Sequence, residues 1–223
     1  MKNATFLTQN YPRNEKGLWT PCIYDFFCRC KPDLPVAAYI RSPSGRVPVY
    51  ESRQHSPILR VDDGEVLREP GLYQCLAKID AMFGMGLTVD PGRYPPRGDI
   101  AGIAPDIVVL HRDKPGMCII ENKPYYESHF APHQGPGGAY IDFVSWLNGK
   151  EVPTEYMVIH SSSWSEYLKV KKLQDELQKD RPQSYFGSLL LEDIFLQMAR
   201  HKFTYSPVAE RWEDFTDKSP DFA

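Results

Sequence analysis

The chain has 223 residues, 42% hydrophobic and 25% charged, the balance of a soluble globular protein with room for one good core and at most a small appendage. No apolar run approaches the roughly 20 residues of a membrane span, and the start, Met1 to Phe6, lacks the apolar stretch of a secretory signal, so a cytoplasmic protein without a membrane partner is expected. A formal charge of −3 and a pI near 6.1 argue against a protein that coats nucleic acid by bulk electrostatics, yet leave room for a local basic face beside an acidic, metal-neutralised site.

Residues 1–60 read as an N-terminal elaboration of irregular or β structure. Val36–Ile40, the turn-prone Ser42–Gly45 and Val47–Tyr50 predict a hairpin. Cys22, Cys28 and Cys30 could form half a zinc site, but Cys-x-Cys is tighter than the usual knuckle and no fourth ligand follows nearby. Five cysteines, an odd number with two inside apolar segments, fit a reducing compartment better.

The main domain is expected over residues 61–205. After Glu69-Pro70-Gly71, apolar residues recur at Leu72, Cys75, Leu76, Ile79, Met82 and Phe83, which predicts a helix with one face on a core and Gly84 and Gly86 as its stop. Ile107–Leu110 and Met117–Ile120, split by the polar turn His111–Gly116, read as buried neighbouring strands. A helix follows over Gly138–Asn148, then a strand at Tyr156–Ile159. Beyond it come a helix capped at Ser161–Ser163 or Ser165 and running to Lys179, a strand Tyr185–Leu190, and a helix Glu192–His201. This alternation predicts an α/β domain with a central mixed sheet flanked by helices. Residues 206–223 form a tail, and its stretch from Arg211 to Ala223 reads either as a loosely held extension or as a segment that packs on a neighbouring subunit, as in a homodimer.

Chemistry concentrates where the two central strands meet. Ala104-Pro105-Asp106 opens the first strand, and Glu121-Asn122-Lys123 closes the second. Side chains alternate along a strand, so Glu121 and Lys123 share one side of the sheet and Asn122 points to the other. With the strands adjacent, Asp106 lies beside Glu121, and two such carboxylates repel unless a cation sits between them. A hard divalent ion such as Mg²⁺ or Mn²⁺ takes such oxygen ligands, and the backbone carbonyl of Asn122 could add another. The ion would acidify water and polarise a phosphoryl oxygen, with Lys123 positioning the attacking water. Pro-Asp also occurs at Pro32-Asp33 and Pro220-Asp221, but only Pro105-Asp106 has an apolar strand after it and another leading into a Glu-x-Lys.

The pattern resembles the PD-(D/E)XK nuclease superfamily: Pro105-Asp106 matches its Pro-Asp and Glu121-Asn122-Lys123 its (Asp/Glu)-x-Lys. The resemblance implies a restriction-endonuclease-like core of helix, three strands, helix and strand, which residues from about Glu69 to His160 match in order. It implies Asp106, Glu121 and Lys123 as catalytic residues, metal bound by Asp106 and Glu121, and nucleic acid as substrate, DNA favoured over RNA. An acidic residue on the first helix often completes that family's site, which points to Glu69, with Glu65 as alternative. Some members carry a glutamine and then a tyrosine on the helix after the lysine; Gln134 and Tyr140 stand in those places as expected nucleic-acid contacts, although Gly135–Gly138 interrupts the helix.

Other readings stand beside these. Glu121 and Lys123 could be a surface ion pair ending a strand. His129 and His133, with Glu127, have ligand spacing, but Pro132 and Pro136 oppose a helix there, and a loop touching nucleic acid is the better use of His129. Lys169, Lys171, Lys172, Lys179 and Arg181 are interleaved with Asp175, Glu176 and Asp180 and read as a solvated helix face. The rivals to a nuclease are a catalytically silent nuclease-fold protein that binds nucleic acid or a protein, and an unrelated α/β protein in which Asp106 and Glu121 lie far apart.

Overall fold

The structure, a computed structural model, describes residues 15–36, 39–40, 49–50, 58–61, 64–88, 102–124, 129–135, 137–160 and 185–205. A π-helical turn, Glu15–Trp19, runs into helix α1 (Thr20–Cys30). Four short strands follow: β1 (Asp33–Pro35), β2 (Tyr39–Ile40), β3 (Val49–Tyr50) and β4 (Ile58–Arg60). β2 pairs with β3, and β1 with β4, both antiparallel, so the expected hairpin is present with Tyr39 opposite Tyr50. Next come β5 (Gly64–Arg68), α2 (Leu72–Phe83), β6 (Ile107–His111), β7 (Met117–Lys123), α3 (Ala139–Asn148), β8 (Thr154–His160), β9 (Tyr185–Leu190) and α4 (Leu191–Arg200).

Strands β5 to β9 form one five-stranded mixed sheet in chain order. β5, β6 and β7 are antiparallel neighbours joined at β6–β7 by a short turn, whereas β8 and β9 run parallel to β7. Parallel neighbours need a crossover, and α3 supplies it between β7 and β8. The two faces of the sheet bury different helices. Ile107, Val109, Cys118, Ile120, Met157, Ile159 and Leu189 pack against α1 and α4, while Val108, Leu110, Met117, Ile119, Tyr156 and Val158 pack against α2 and α3. The result is an α/β domain of three layers, with the central strands buried on both faces.

Two expectations are corrected. Residues Thr20–Cys30 are helix, not β or irregular structure, and they belong to the core. Trp19, Cys22, Ile23, Phe26 and Phe27 recur at helical spacing with Pro21 in the first turn, and the stripe seals one face of the sheet, Phe26 meeting Phe203 at 5.2 Å between ring centroids. Lys31, left-handed at φ 45°, ends the helix by donating its N–H to the Phe27 carbonyl at 3.0 Å. The second correction is to strand order. Among the described residues only β6 and β7 lie between α2 and α3, and the third antiparallel strand, β5, precedes α2. The expected helix from Ser161 to Lys179, with its lysines, and the tail 206–223 lie outside the described residues. No helix among the described residues is long and apolar enough to cross a membrane.

Candidate functional site

The site forms where β6 begins and β7 ends. Ile107 pairs with Ile120, and one step further along this antiparallel ladder brings Asp106 opposite Glu121. The ladder continues through a side chain: the Asn122 backbone N–H donates to Asp106 Oδ2 at 2.8 Å. Alternation sends Glu121 and Lys123 to the α2/α3 face and Asn122 to the α1 face, where its Nδ2 donates to Thr20 Oγ1 at 3.3 Å. Asp106, Glu121 and Lys123 are 4%, 1% and 4% exposed, which rules out the surface ion pair. Lys123 Nζ lies 3.7 Å from Glu121 Oε2, an electrostatic approach longer than a hydrogen bond.

Glu121 is the most constrained group. Burial, and then the neighbouring Asp106 carboxylate, push its carboxyl well above the ordinary glutamate range, against the pull of Lys123 and Tyr140. Its Oε2 accepts from Gln134 Nε2 at 2.5 Å, but buried Oε1 has no hydrogen-bond partner among the described residues. The Tyr140 hydroxyl lies close enough to favour the carboxylate form, yet it too has no partner in hydrogen-bonding geometry. Orphaned buried polar atoms are costly. Two of them, Glu121 Oε1 and the Tyr140 hydroxyl, belong to neighbouring side chains on the α2/α3 face, and a third, Asn122 Oδ1, lies on the opposite face.

The loop between β7 and α3 brings Gln134 and Tyr140 to this point without a regular helix. Gln134 N–H donates to the Ala131 carbonyl, and Ala131 N–H returns a bond to Gln134 Oε1, both at 2.9 Å, so the amide is oriented with Nε2 toward Glu121. Tyr140 N–H donates to the His133 carbonyl at 3.0 Å, and a Cβ on Gly138 would lie 2.6 Å from that oxygen, so only glycine lets the loop close against the helix. Tyr156, from β8, donates its hydroxyl to the Gln134 carbonyl at 3.0 Å and packs edge-on against Tyr140, centroids 5.4 Å apart. Gln134, expected from sequence to touch nucleic acid, is buried and donates to Glu121.

The remaining candidates are dispersed. Glu69, at φ 45°, donates its N–H to the Asp106 carbonyl at 2.9 Å, but its exposed side chain approaches Lys16 Nζ at 4.0 Å. Glu65 pairs with Leu110, three residues up the ladder from the Asp106 end, and accepts from Lys78 at 2.7 Å. Neither joins the carboxylate pair, and no group of three or more His, Cys, Asp or Glu suited to a metal occurs among the described residues. His129 is exposed; His133 is half-buried, its imidazole held below the ordinary range by burial and by the Lys123 charge. Glu127 lies outside the described residues. The cysteines are free thiols, and burial pushes those of Cys22 and Cys75 up to about 12.

Sequence reading missed one buried pair. His160, the last residue of β8, stands beside Lys123 in the parallel register and within 2.9 Å of Ser188 Oγ. A histidine closing an apolar strand was the available signal.

A hard cation suits the oxygen donors that meet here: two opposed carboxylates, with one Glu121 oxygen buried without a hydrogen-bond partner among the described residues. Two protein carboxylates leave coordination positions for water and substrate, as Mg²⁺ commonly requires. Comparison of the chain with protein-family models, with curated proteins and with solved structures finds no match.

Proposed function

We propose that the chain is a metal-dependent nuclease that hydrolyses phosphodiester bonds in nucleic acid, DNA in preference to RNA, with Mg²⁺ or Mn²⁺ held by Asp106 and Glu121. The observation that carries this reading is the buried meeting of Asp106, Glu121 and Lys123 on one face of the sheet, with Glu121 Oε1 lacking a partner. A fold has no need of such a cluster, because apolar residues of similar volume serve a buried position at least as well. Element order lends support. Helix α1, strands β5, β6 and β7, helix α3 and strand β8 follow the helix, three strands, helix and strand of the PD-(D/E)XK core, with β1–β4 inserted between α1 and β5 and α2 between β5 and β6.

When bound, the cation supplies Lewis-acid chemistry, polarising a phosphoryl oxygen and acidifying water. The chain's own residues do the rest. Asp106 and Glu121 provide the binding oxygens. The Asn122 N–H fixes the rotamer of Asp106, and the Gln134 amide that of Glu121. Lys123, on the same face and largely withdrawn from solvent, donates to the attacking water or to the phosphoryl oxygen on which charge develops, where low polarity strengthens the interaction.

One observation favours a second reading. No third acid joins the pair among the described residues, which suits a silent nuclease-fold protein that binds nucleic acid or a protein partner. Cleavage of labelled duplex DNA, single-stranded DNA and RNA with Mg²⁺, Mn²⁺ or EDTA separates the two. The nuclease reading expects metal-dependent cleavage that falls about 10²–10⁴-fold in Lys123→Ala and in Asp106→Ala. Absence of cleavage under every condition by a folded wild type returns the weight to the silent protein.

A further inference from the structure

The sheet edge next to Asp106 carries a second feature. β5 is an edge strand, and the chain leaves it at Arg68, opposite Ile107, before Glu69 N–H bonds the Asp106 carbonyl. A cavity of about 370 Å³ opens there, lined by Tyr24 of α1, Leu67 and Arg68 of β5, Pro70, and Gln74 of α2. The Arg68 guanidinium rests 5.7 Å from the centre of the Tyr24 ring, within cation–π range, which holds an exposed cation in place.

Charge at the rim is unbalanced in one direction. Among the described residues, three acids of α1, β5 and the turn after it have cations of their own: Asp25 bonds Arg29 at 3.0 Å, Glu65 bonds Lys78 at 2.7 Å, and Glu69 lies 4.0 Å from Lys16. Arg68 forms no ion pair with a carboxylate of the described residues, so its planar donor fork is open to an anion. Leu67, Pro70 and the Tyr24 ring offer apolar walls, and the exposed Gln74 amide offers both a donor and an acceptor. Anion fork, aromatic and apolar walls and an amide together match a nucleotide, and the volume falls within the range of small-ligand sites, roughly 300–1,000 Å³.

We infer that this cavity seats one nucleotide of the nucleic-acid strand that passes the Asp106 site, Arg68 holding its phosphate and Gln74 meeting the base edge. The inference rests on the nuclease reading, from which it takes the polymer as occupant. A free nucleoside phosphate has the same chemistry, so the test includes both.

Binding is followed by fluorescence anisotropy of a labelled 20-nucleotide DNA, single-stranded and duplex, at several salt concentrations in EDTA so that nothing is cleaved, with unlabelled nucleoside monophosphate titrated in a separate arm by calorimetry. Arg68→Ala should weaken DNA binding about 10-fold or more and reduce the slope of log affinity against log salt by roughly 0.7–0.9, the share of one phosphate contact. Arg68→Gln, which keeps the stem over Tyr24, should lose affinity alike, and Gln74→Ala should lose less. Arg112→Ala, an exposed arginine in the turn at the far end of β6, should change nothing, and thermal unfolding verifies that each variant is folded. Unchanged affinity and salt slope in both Arg68 variants overturn the inference while leaving the nuclease reading intact. Loss of monophosphate binding alone also overturns it, by making the cavity a free-nucleotide site. Failure of the unsubstituted chain to bind DNA overturns the inference, while the metal-dependent cleavage assay decides the nuclease reading separately.

Discussion

The two faces of the central sheet are built from the same strands and differ at one end. On the α1/α4 face the strand residues are apolar until Asn122, a neutral amide bonded to Thr20. On the α2/α3 face the same strand ends in Glu121 and Lys123, with Asp106 opposite, in equal burial. Among the described residues each face buries an unpartnered polar atom, Asn122 Oδ1 on the first and Glu121 Oε1 on the second, but the second also draws three ionisable side chains together out of solvent, a costly arrangement of the kind that collects at functional sites.

If the α1/α4 face is purely structural, damage there should cost stability and little else. Phe26→Ala removes a fully buried ring packed on Phe203 and should lower unfolding free energy by about 3–5 kcal/mol. Urea denaturation measures this, and cleavage per folded molecule should be retained. On the opposite face, Gln134→Ala removes the donor that orients Glu121 and should reduce metal affinity or cleavage about 10–100-fold. Calorimetry and initial rates in Mg²⁺ check it.

A titration sharpens the contrast further. The folded pKa of Glu121 is raised above its ordinary 4.5, so its contribution to stability is complete below that pH and is lost as pH rises through the folded value. In EDTA the protein should therefore lose stability with rising pH over a window that begins near 4.5, and Glu121→Gln should abolish that dependence. At neutral pH the variant should melt about 2–4 °C above wild type, while saturating Mg²⁺ should reverse the order by stabilising wild type alone. The smallest effect belongs to the amide on the apolar face. Asn122→Ala loses the Thr20 bond but keeps the backbone N–H to Asp106, so it should cost about 0.5–1.5 kcal/mol in thermal unfolding and leave cleavage nearly intact.

The helices and strands of the central domain were legible because their signals are local. The apolar stripe from Leu72 to Phe83 and the runs Ile107–Leu110 and Met117–Ile120 state period and burial in the letters themselves. The convergence of Asp106, Glu121 and Lys123 followed from alternation and one turn, which is also short-range information. What sequence reading lost is nonlocal or was diluted. The α1 stripe shares its segment with Asp25, Cys28, Arg29 and Cys30 on the less buried side, although Trp19, Cys22, Ile23, Phe26 and Phe27 already carried the helical period. β5 is a half-buried edge strand with weak alternation. Gln134 reaches Glu121 through a loop whose path depends on Gly138 packing on the His133 carbonyl, and His160 comes into register with Lys123 only because β8 pairs parallel to β7. Contacts made by pairing across a crossover leave no mark on either segment alone.

Asp106 and Glu121 are proposed to form one divalent-cation site. Calorimetric titration of Mn²⁺ and Mg²⁺ into the metal-free protein tests it most directly, with Asp106→Asn and Glu121→Gln as near-isosteric comparisons. One ion should bind per chain, its affinity should rise with pH because the Glu121 proton must leave, and both variants should lose that binding. A folded wild type that takes up no ion, or variants that bind as wild type does, would contradict it.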